Sequence, residues 1–248
     1  MQALSLQRKA AVGLSGNALK IIAAISMTVD HFGYIFFPKV MWLRYIGRIA
    51  LPIFMFMIAE GCCHTRNRLR YHLMVVGLAV LCQSVYTITT GEWFLCVPVS
   101  FSISIPLVYA LQESKRALFG RKIVVSILWA LVLCCGVAGV WWLNKKVDMD
   151  YGFWGCMLPV TASLLRRNTD APRWLQRLDC NPVHVLAMAA AMVPLAQSMG
   201  QWQWWSFLAL PLLVLYSGKR GKWRMKYFFY IFYPAHLAIL EGVAMLLR

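Results

Sequence analysis

The sequence predicts an all-α fold: a polytopic integral membrane helix bundle of about nine transmembrane helices with a cytoplasmic N-terminus. The chain of 248 residues is 60% hydrophobic and 14% charged, which is more apolar than a soluble domain with a single core. Its apolar residues fall in long runs, and most of its basic residues lie between them. A bilayer core takes roughly 20 helical residues per crossing, so such runs use nearly the whole chain. One transmembrane domain is therefore expected over residues 1–248, with residues 1–19 as a cytoplasmic segment.

Nine apolar runs are separated by charged or Gly- and Pro-rich stretches. They cover roughly residues 20–37, 44–63, 72–89, 93–111, 123–143, 151–165, 182–198, 203–217 and 227–247. The sixth and eighth runs are short for a crossing. A re-entrant or tilted segment there would change the count, and with it the side on which the C-terminus lies.

The basic residues predict the orientation of the spans. Alternate loops carry 19 of the 25 Lys and Arg residues, and the positive-inside rule places those loops and the N-terminus in the cytoplasm. The net charge of +16 is therefore a topology signal, because its residues do not gather on one face as they do in proteins that bind nucleic acid. No nucleic-acid partner is expected, and the lipid bilayer is the surrounding medium.

Seven of the eight cysteines lie within or at the ends of apolar runs, and none has the spacing of a metal site. They are interpreted as small buried hydrophobic residues, and no metal is expected. The seven are Cys62, Cys63, Cys82, Cys96, Cys134, Cys135 and Cys156.

The first span carries ionisable residues at membrane depth, where each costs several kcal/mol unless it pairs or faces a wet cavity. Lys20 and His31 are eleven residues apart, which is almost three helical turns. Both are therefore expected on one helix face, about 16 Å apart along the axis. Asp30 points about 100° away from His31 and needs a partner from another span. Arg48 is the candidate.

The second span is also interrupted by charge and by proline. Arg44 and Arg48 are one turn apart near its outer half, and Glu60 is near its inner end. Arg44 is expected to reach the outer interface, whereas the deeper Arg48 needs an anion. Pro52 removes a backbone hydrogen bond and predicts a kink where a cavity can open. A basic cluster follows on the cytoplasmic side: His64, Arg66, Arg68 and Arg70.

The last span contains FYIFYPAHLAILEG, which places His236 after Pro234 and Glu241 beyond it. Each ionisable residue has a structural interpretation of its own. A buried histidine often only hydrogen-bonds, cytoplasmic arginines set topology, and Lys20 can be a flanking lysine whose chain reaches the interface. The combination favours a functional interpretation, because topology requires no histidine within the first span.

Lys20 and His31 with ten residues between them match the K/R-x10-H signature of integral-membrane acyltransferases. More specifically, five stretches resemble, in the same order, the motifs of the TraX family, over a region from about residue 17 to the end. They are LKIIAAISMTVDHFGYIFFP, LRYIGRIALPIFMFMIAEG, QSVY from Gln83 to Tyr86, DYGFWG at 150–155 and FYIFYPAHLAIL. The resemblance implies a multi-pass enzyme of the bacterial inner (plasma) membrane. Such an enzyme takes acetyl-CoA from the cytoplasm and delivers the acetyl group to an acceptor such as a pilin N-terminus.

Given this resemblance, the residues take on roles. The phosphates of coenzyme A are expected at the basic mouth formed by Lys20, His64, Arg66, Arg68 and Arg70. The pantetheine arm would then run along the helix face and place the thioester beside His31, which acts as general base.

Other polar groups near His31 are expected to support the chemistry. Asp30 fixes the tautomer of the imidazole or, through Arg48, sets the local charge. Tyr34 or His236 donates to the tetrahedral oxyanion. A covalent acyl-histidine and direct transfer both remain open.

Two other functions are compatible with the sequence. One keeps the chemistry and changes the acceptor, giving O-acetylation of a cell-envelope glycan or lipid-linked sugar. The other is a small proton- or anion-coupled transporter in which Asp30, His31, Arg48 and His236 form the path. The sequence shows neither inverted repeats nor paired broken helices, which are the features that would favour transport.

Overall fold

The computed structural model describes residues 13–91, 93–166, 172–222 and 225–247. Within these ranges the protein is all-helical, without a β-strand. Most of the predicted cytoplasmic segment 1–19 lies outside the described residues, and the first helix begins at Gly16. The helices are α1 Gly16–Phe36, α2 Met41–Gly47, α3 Ala50–His64, α4 Arg68–Thr90, α5 Val97–Phe119, α6 Ile123–Lys146, α7 Gly152–Ala162, α8 Arg173–Leu178, α9 Asn181–Met199, a 3-10 helix Gln201–Leu208, α10 Ala209–Val214 and α11 Lys226–Leu247.

In the described part of the chain, six helical segments are long and apolar enough to cross a membrane, so the protein is a membrane protein of the predicted class. The segments are Gly16–Phe36, Met41–His64, Arg68–Ile88, Ile123–Lys146, Asn181–Met199 and Phe228–Leu247.

The predicted count of nine spans and the cytoplasmic N-terminus are not confirmed. The predicted run 151–165 becomes α7, whose 11 residues extend about 16 Å, too short for a bilayer core. The predicted run 203–217 becomes the 3-10 helix followed by the six-residue α10. The predicted run 93–111 corresponds to most of α5, a helix of 23 residues that is not among the six segments.

The kink predicted from Pro52 is confirmed. The predicted second span 44–63 divides into α2 and α3, with Arg48 and Ile49 in the turn between them. Because Pro52 has no N–H, the carbonyl of Arg48 cannot form the helical bond four residues on. The helix is therefore interrupted at the arginine that lies next to the site described below.

Helix α3 forms the centre of the molecule and packs against α1, α5 and α7. Its side chains Leu51, Ile53, Met55 and Phe56 are all buried, the last three completely. By contrast, α6 exposes most of its apolar surface, as a lipid-facing helix does. Buried positions were predicted for Cys63, Cys134 and Cys135. The prediction is wrong for all three, because an apolar run predicts burial in lipid or protein without distinguishing them.

Two close contacts hold α1 against α2. Gly33 lies so near Leu43 of α2 that an added Cβ would be 2.6 Å from the Leu43 Cβ, and Gly47 lies equally tightly against Asp30. Small residues allow such approaches between membrane helices. On its other side α1 packs against α11. Helix α1 therefore holds its polar residues between α2 and α11.

Candidate active site

A cavity of about 550 Å³ lies around His31, and we call it the His31 cavity. It gathers ionisable side chains from distant parts of the sequence, supplied by α1, α2, the α2–α3 turn, the loop before α7 and α11. Among them are Asp30, His31, Tyr34, Arg44, Arg48, Asp150, Tyr151, Tyr233 and Glu241.

Two histidines meet beside this cavity. His236 Nε2 is 3.3 Å from His31 Nδ1, and the two ring centroids are 5.1 Å apart in an edge-on arrangement. His236 is buried and stacks on Phe232. The contact joins α1 to α11 across 205 residues, so the fold and not local sequence creates the pair.

Backbone carbonyls determine which ring nitrogens carry hydrogen in the neutral pair. His31 Nδ1 is 2.9 Å from the Met27 carbonyl oxygen, and His236 Nδ1 is 3.0 Å from that of Phe232. A carbonyl only accepts, so both Nδ1 atoms must be N–H donors. The His31 Nδ1–H also points to the lone pair of His236 Nε2. His31 Nε2 is then the unprotonated nitrogen, able to take a proton.

Both arginines act on Asp30, and Arg44 is the one in direct contact with it. The ion pair at Asp30 comes from Arg44, whose Nε is 3.4 Å from Oδ1, while Arg48 donates from Nη1 to the Tyr151 hydroxyl at 3.3 Å. Helix α2 ends at Gly47, so Arg48 lies in the turn and projects toward the loop before α7. Arg48 still acts electrostatically on Asp30.

Tyr34 lines the His31 cavity but is 63% exposed. The guanidinium of Arg44 lies over its ring at 4.9 Å. Arg44 therefore bridges Tyr34 and Asp30.

The loop before α7 contributes residues that the sequence reasoning missed as site members. Tyr151 and Gly152 both have positive φ, at 60° and 54°, and the backbone N–H of Asp150 bonds to the Leu95 carbonyl at 2.9 Å. This turn directs Asp150 and Tyr151 into the cavity. The stretch DYGFWG was noticed only as part of the family resemblance, because nothing in its spacing relates it to His31.

A second cavity of about 690 Å³ lies around Lys20, and we call it the Lys20 cavity. Of the residues predicted to hold a donor, Lys20, His64, Arg66 and Arg70 line it. Arg68 does not: it forms an ion pair with Glu113 and lies over the Tyr109 ring. The position of Arg68 follows from its helix, since it is the first residue of α4 and faces α5.

The sequence reasoning missed Arg220 as a cation of the Lys20 cavity. Its backbone carbonyl accepts from the Asn17 N–H at 2.9 Å, which ties the segment 216–220 to the start of α1. Glu60 also lines the cavity, and its carboxylate is bound by Arg166 at 2.5 Å and by the Tyr216 hydroxyl at 3.2 Å. Arg166 compensates the charge of Glu60, so the cations that line the cavity keep a positive excess.

The two cavities meet at Phe54 and Tyr233, which line both. The sequence predicts a path along one helix face from Lys20 to His31, and the structure has two cavities there with two aromatic residues at their junction. Tyr233 is buried and lies edge-on to the His236 ring at 5.6 Å. A ligand that extends from one cavity into the other would therefore pass beside these two rings.

Comparison with known proteins gives a family and two relatives. The sequence profile of one family, described as TraX protein, matches residues 15–244. The chain is 26% identical over 276 residues to the "Probable fimbrial assembly protein FimC, serogroup H1" of Dichelobacter nodosus, covering 96% of this chain and 98% of that protein. It is 30% identical over 119 residues to the "Uncharacterized protein RP591" of Rickettsia prowazekii (strain Madrid E), covering 46% of each. No solved structure matches the chain.

Proposed function

Because the chain belongs to the TraX family, we propose that it is an integral membrane acetyltransferase with His31 as general base. It transfers an acetyl group from acetyl-CoA to an acceptor amine at or across the membrane. The observation that carries the proposal is the His31–His236 pair beside a cavity of about 550 Å³. A pilin N-terminus is the acceptor we favour, since a relative aligned along nearly its whole length is named a probable fimbrial assembly protein.

The donor binds in the Lys20 cavity. Coenzyme A carries several phosphate charges, and Lys20, Arg66, Arg70 and Arg220 supply cations around one space. Charge-assisted hydrogen bonds to phosphate are stronger than neutral ones, and arginine can form two at once. Acetyl-CoA is a cytoplasmic metabolite, so this cavity faces the cytoplasm, and the enzyme resides in the bacterial inner membrane.

The acetyl thioester reaches His31 past Phe54 and Tyr233. The basic cavity keeps the charged nucleotide at one end, and the shared aromatic junction admits only the thin, nearly uncharged pantetheine arm. The donor therefore stays on its own side of the membrane while the acyl group meets the acceptor in the His31 cavity.

His31 then acts as the general base in the attack on the thioester. The amine nitrogen attacks the thioester carbonyl, and His31 Nε2 takes the proton that this nitrogen loses. The imidazolium that forms donates its Nδ1–H to Met27 and His236, which stabilises the charge. When the tetrahedral intermediate collapses, the C–S bond breaks and the thiolate takes the proton back from His31. The amide and free coenzyme A are the products.

His236 acts as a positioning residue in this scheme. Its Nδ1–H is held by Phe232 and its Nε2 accepts from His31, so it has no N–H left for the oxyanion. Tyr34, whose ring lies under Arg44 at the cavity wall, is the remaining donor of the two considered.

The test uses purified protein in nanodiscs with radiolabelled acetyl-CoA and a short peptide with a free α-amino group. We expect labelled peptide with the wild type, and transfer slower by about 10²–10⁴-fold with His31→Ala. His72→Ala serves as the matched control, because His72 contacts the Ser102 carbonyl outside both cavities. If the wild type transfers no label to the peptide but moves labelled substrate into liposomes, the result would favour the transporter. Label on an oligosaccharide instead of the peptide would favour O-acetylation.

A further inference from the structure

Glu241 lies in the wall of the His31 cavity without a role in the scheme above. It belongs to α11, where Leu237, Ala238 and Glu241 form one face bordering the cavity. Glu241 is half-buried, and in the described part of the chain no residue forms a hydrogen bond or ion pair with it. An unpaired carboxylate within a membrane segment is costly and commonly marks a functional contact.

The two arginines of the cavity act on two of its three carboxylates and leave Glu241 without a cationic partner in the described part of the chain. Its lining contains three carboxylates and two guanidinium groups. Arg44 forms an ion pair with Asp30. Of the two arginines, Arg48 has the larger electrostatic effect on Asp150. In the described part of the chain neither arginine forms an ion pair with Glu241.

We propose that Glu241 binds the ammonium group of the acceptor and takes the first of the two protons that this group loses. This inference rests on the proposed acetyltransferase function and specifies the acceptor class as a primary amine. Glu241 is five residues beyond His236, or about 7.5 Å along the helix axis. That separation leaves room for the acceptor nitrogen between the carboxylate and His31.

The protons balance in two steps. An ammonium has no lone pair, so it first gives one proton to the Glu241 carboxylate and becomes the neutral amine. The amine then attacks, and His31 takes the second proton as the C–N bond forms. The leaving thiolate of coenzyme A receives the His31 proton, and Glu241 releases its own to solvent, so each turnover frees one proton.

Equilibrium binding tests the site without catalysis. A short peptide with a free α-amino group and the same peptide with that group acetylated are titrated into wild-type protein, Glu241→Gln and Glu241→Asp. We expect the wild type to bind the free amine about tenfold more tightly, as one charge-assisted contact provides. Glu241→Gln should bind both peptides equally, and Glu241→Asp should recover part of the preference. Equal binding by the wild type, or an unchanged preference in Glu241→Gln, would overturn the inference.

Kinetics separate this inference from the proposed function. We expect Glu241→Gln to lower kcat/KM for the peptide at least tenfold. Glu113→Gln is the matched control, since that carboxylate pairs with Arg68 outside both cavities. If transfer depends on His31 but is unchanged in Glu241→Gln, the Glu241 site is refuted and the acetyltransferase proposal stands. Absence of His31-dependent transfer would refute both.

Discussion

Replacing His236 with alanine is expected to slow acetyl transfer about 10- to 30-fold, because His31 loses an acceptor for its Nδ1–H. A hydrogen bond to a charged group contributes about 1.5–3 kcal/mol, and each 1.36 kcal/mol is a factor of ten in rate. The contact is 3.3 Å long and the Met27 carbonyl remains at 2.9 Å, so the loss should fall in the lower part of that range. Loss of the base in His31→Ala should cost more, about 10²–10⁴-fold.

A double-mutant cycle makes this prediction specific. If His236 acts only through His31, then the double variant is no slower than His31→Ala alone. His236→Gln provides a conservative control, because its amide oxygen can reach the position of Nε2 and accept the same hydrogen. It should recover part of the activity that His236→Ala loses.

The assay measures initial rates of label transfer in nanodiscs, with thermal stability recorded for each variant. Additive losses in the double variant would show that His236 has a role independent of His31, contrary to the tautomer argument. Activity of His236→Ala equal to wild type would show that the contact between the rings has no part in the reaction.

Two further predictions follow from the packing and from the donor cavity. Gly47→Ala places a methyl group against the Asp30 side chain and should destabilise the protein by about 1–3 kcal/mol, measured by denaturation in detergent. Gly77→Ala, where an added Cβ meets no atom within 4 Å, should not destabilise it; equal losses for the two glycines would contradict the packing. Arg70→Ala should weaken acetyl-CoA binding about tenfold in calorimetry, as loss of one phosphate contact does. Arg68→Ala should leave the affinity near wild type. If Arg68→Ala weakened acetyl-CoA binding more than Arg70→Ala, the donor would not bind in the Lys20 cavity.

Helical class and membrane character could be predicted from the sequence because both depend on local composition. Long apolar runs specify helices, and Pro52 specifies the break at Arg48 through its missing N–H. Span count was less predictable. Residues 203–217 are apolar enough for a crossing, but the chain forms a 3-10 helix and a short α10 there, which depends on packing against α9 and α2.

Site membership could be predicted for residues on one helix and not for pairs between helices. The spacing of Lys20 and His31 places them along α1, yet it gives no information on the rings of Phe54 and Tyr233 at the junction of the two cavities. Similarly, depth along the membrane made Arg48 the expected partner of Asp30, whereas the end of α2 brings Arg44 there. Rotation and termination of helices are tertiary properties that periodicity does not contain.

The central claim is that His31 catalyses acetyl transfer from a donor held in the other cavity. The most direct test measures, on the same preparations, acetyl-CoA binding by calorimetry and transfer of label to an amine peptide. We predict that His31→Ala binds acetyl-CoA with wild-type affinity and transfers at less than about one hundredth of the wild-type rate. Transfer by His31→Ala at a rate close to wild type, with binding intact, would contradict the account.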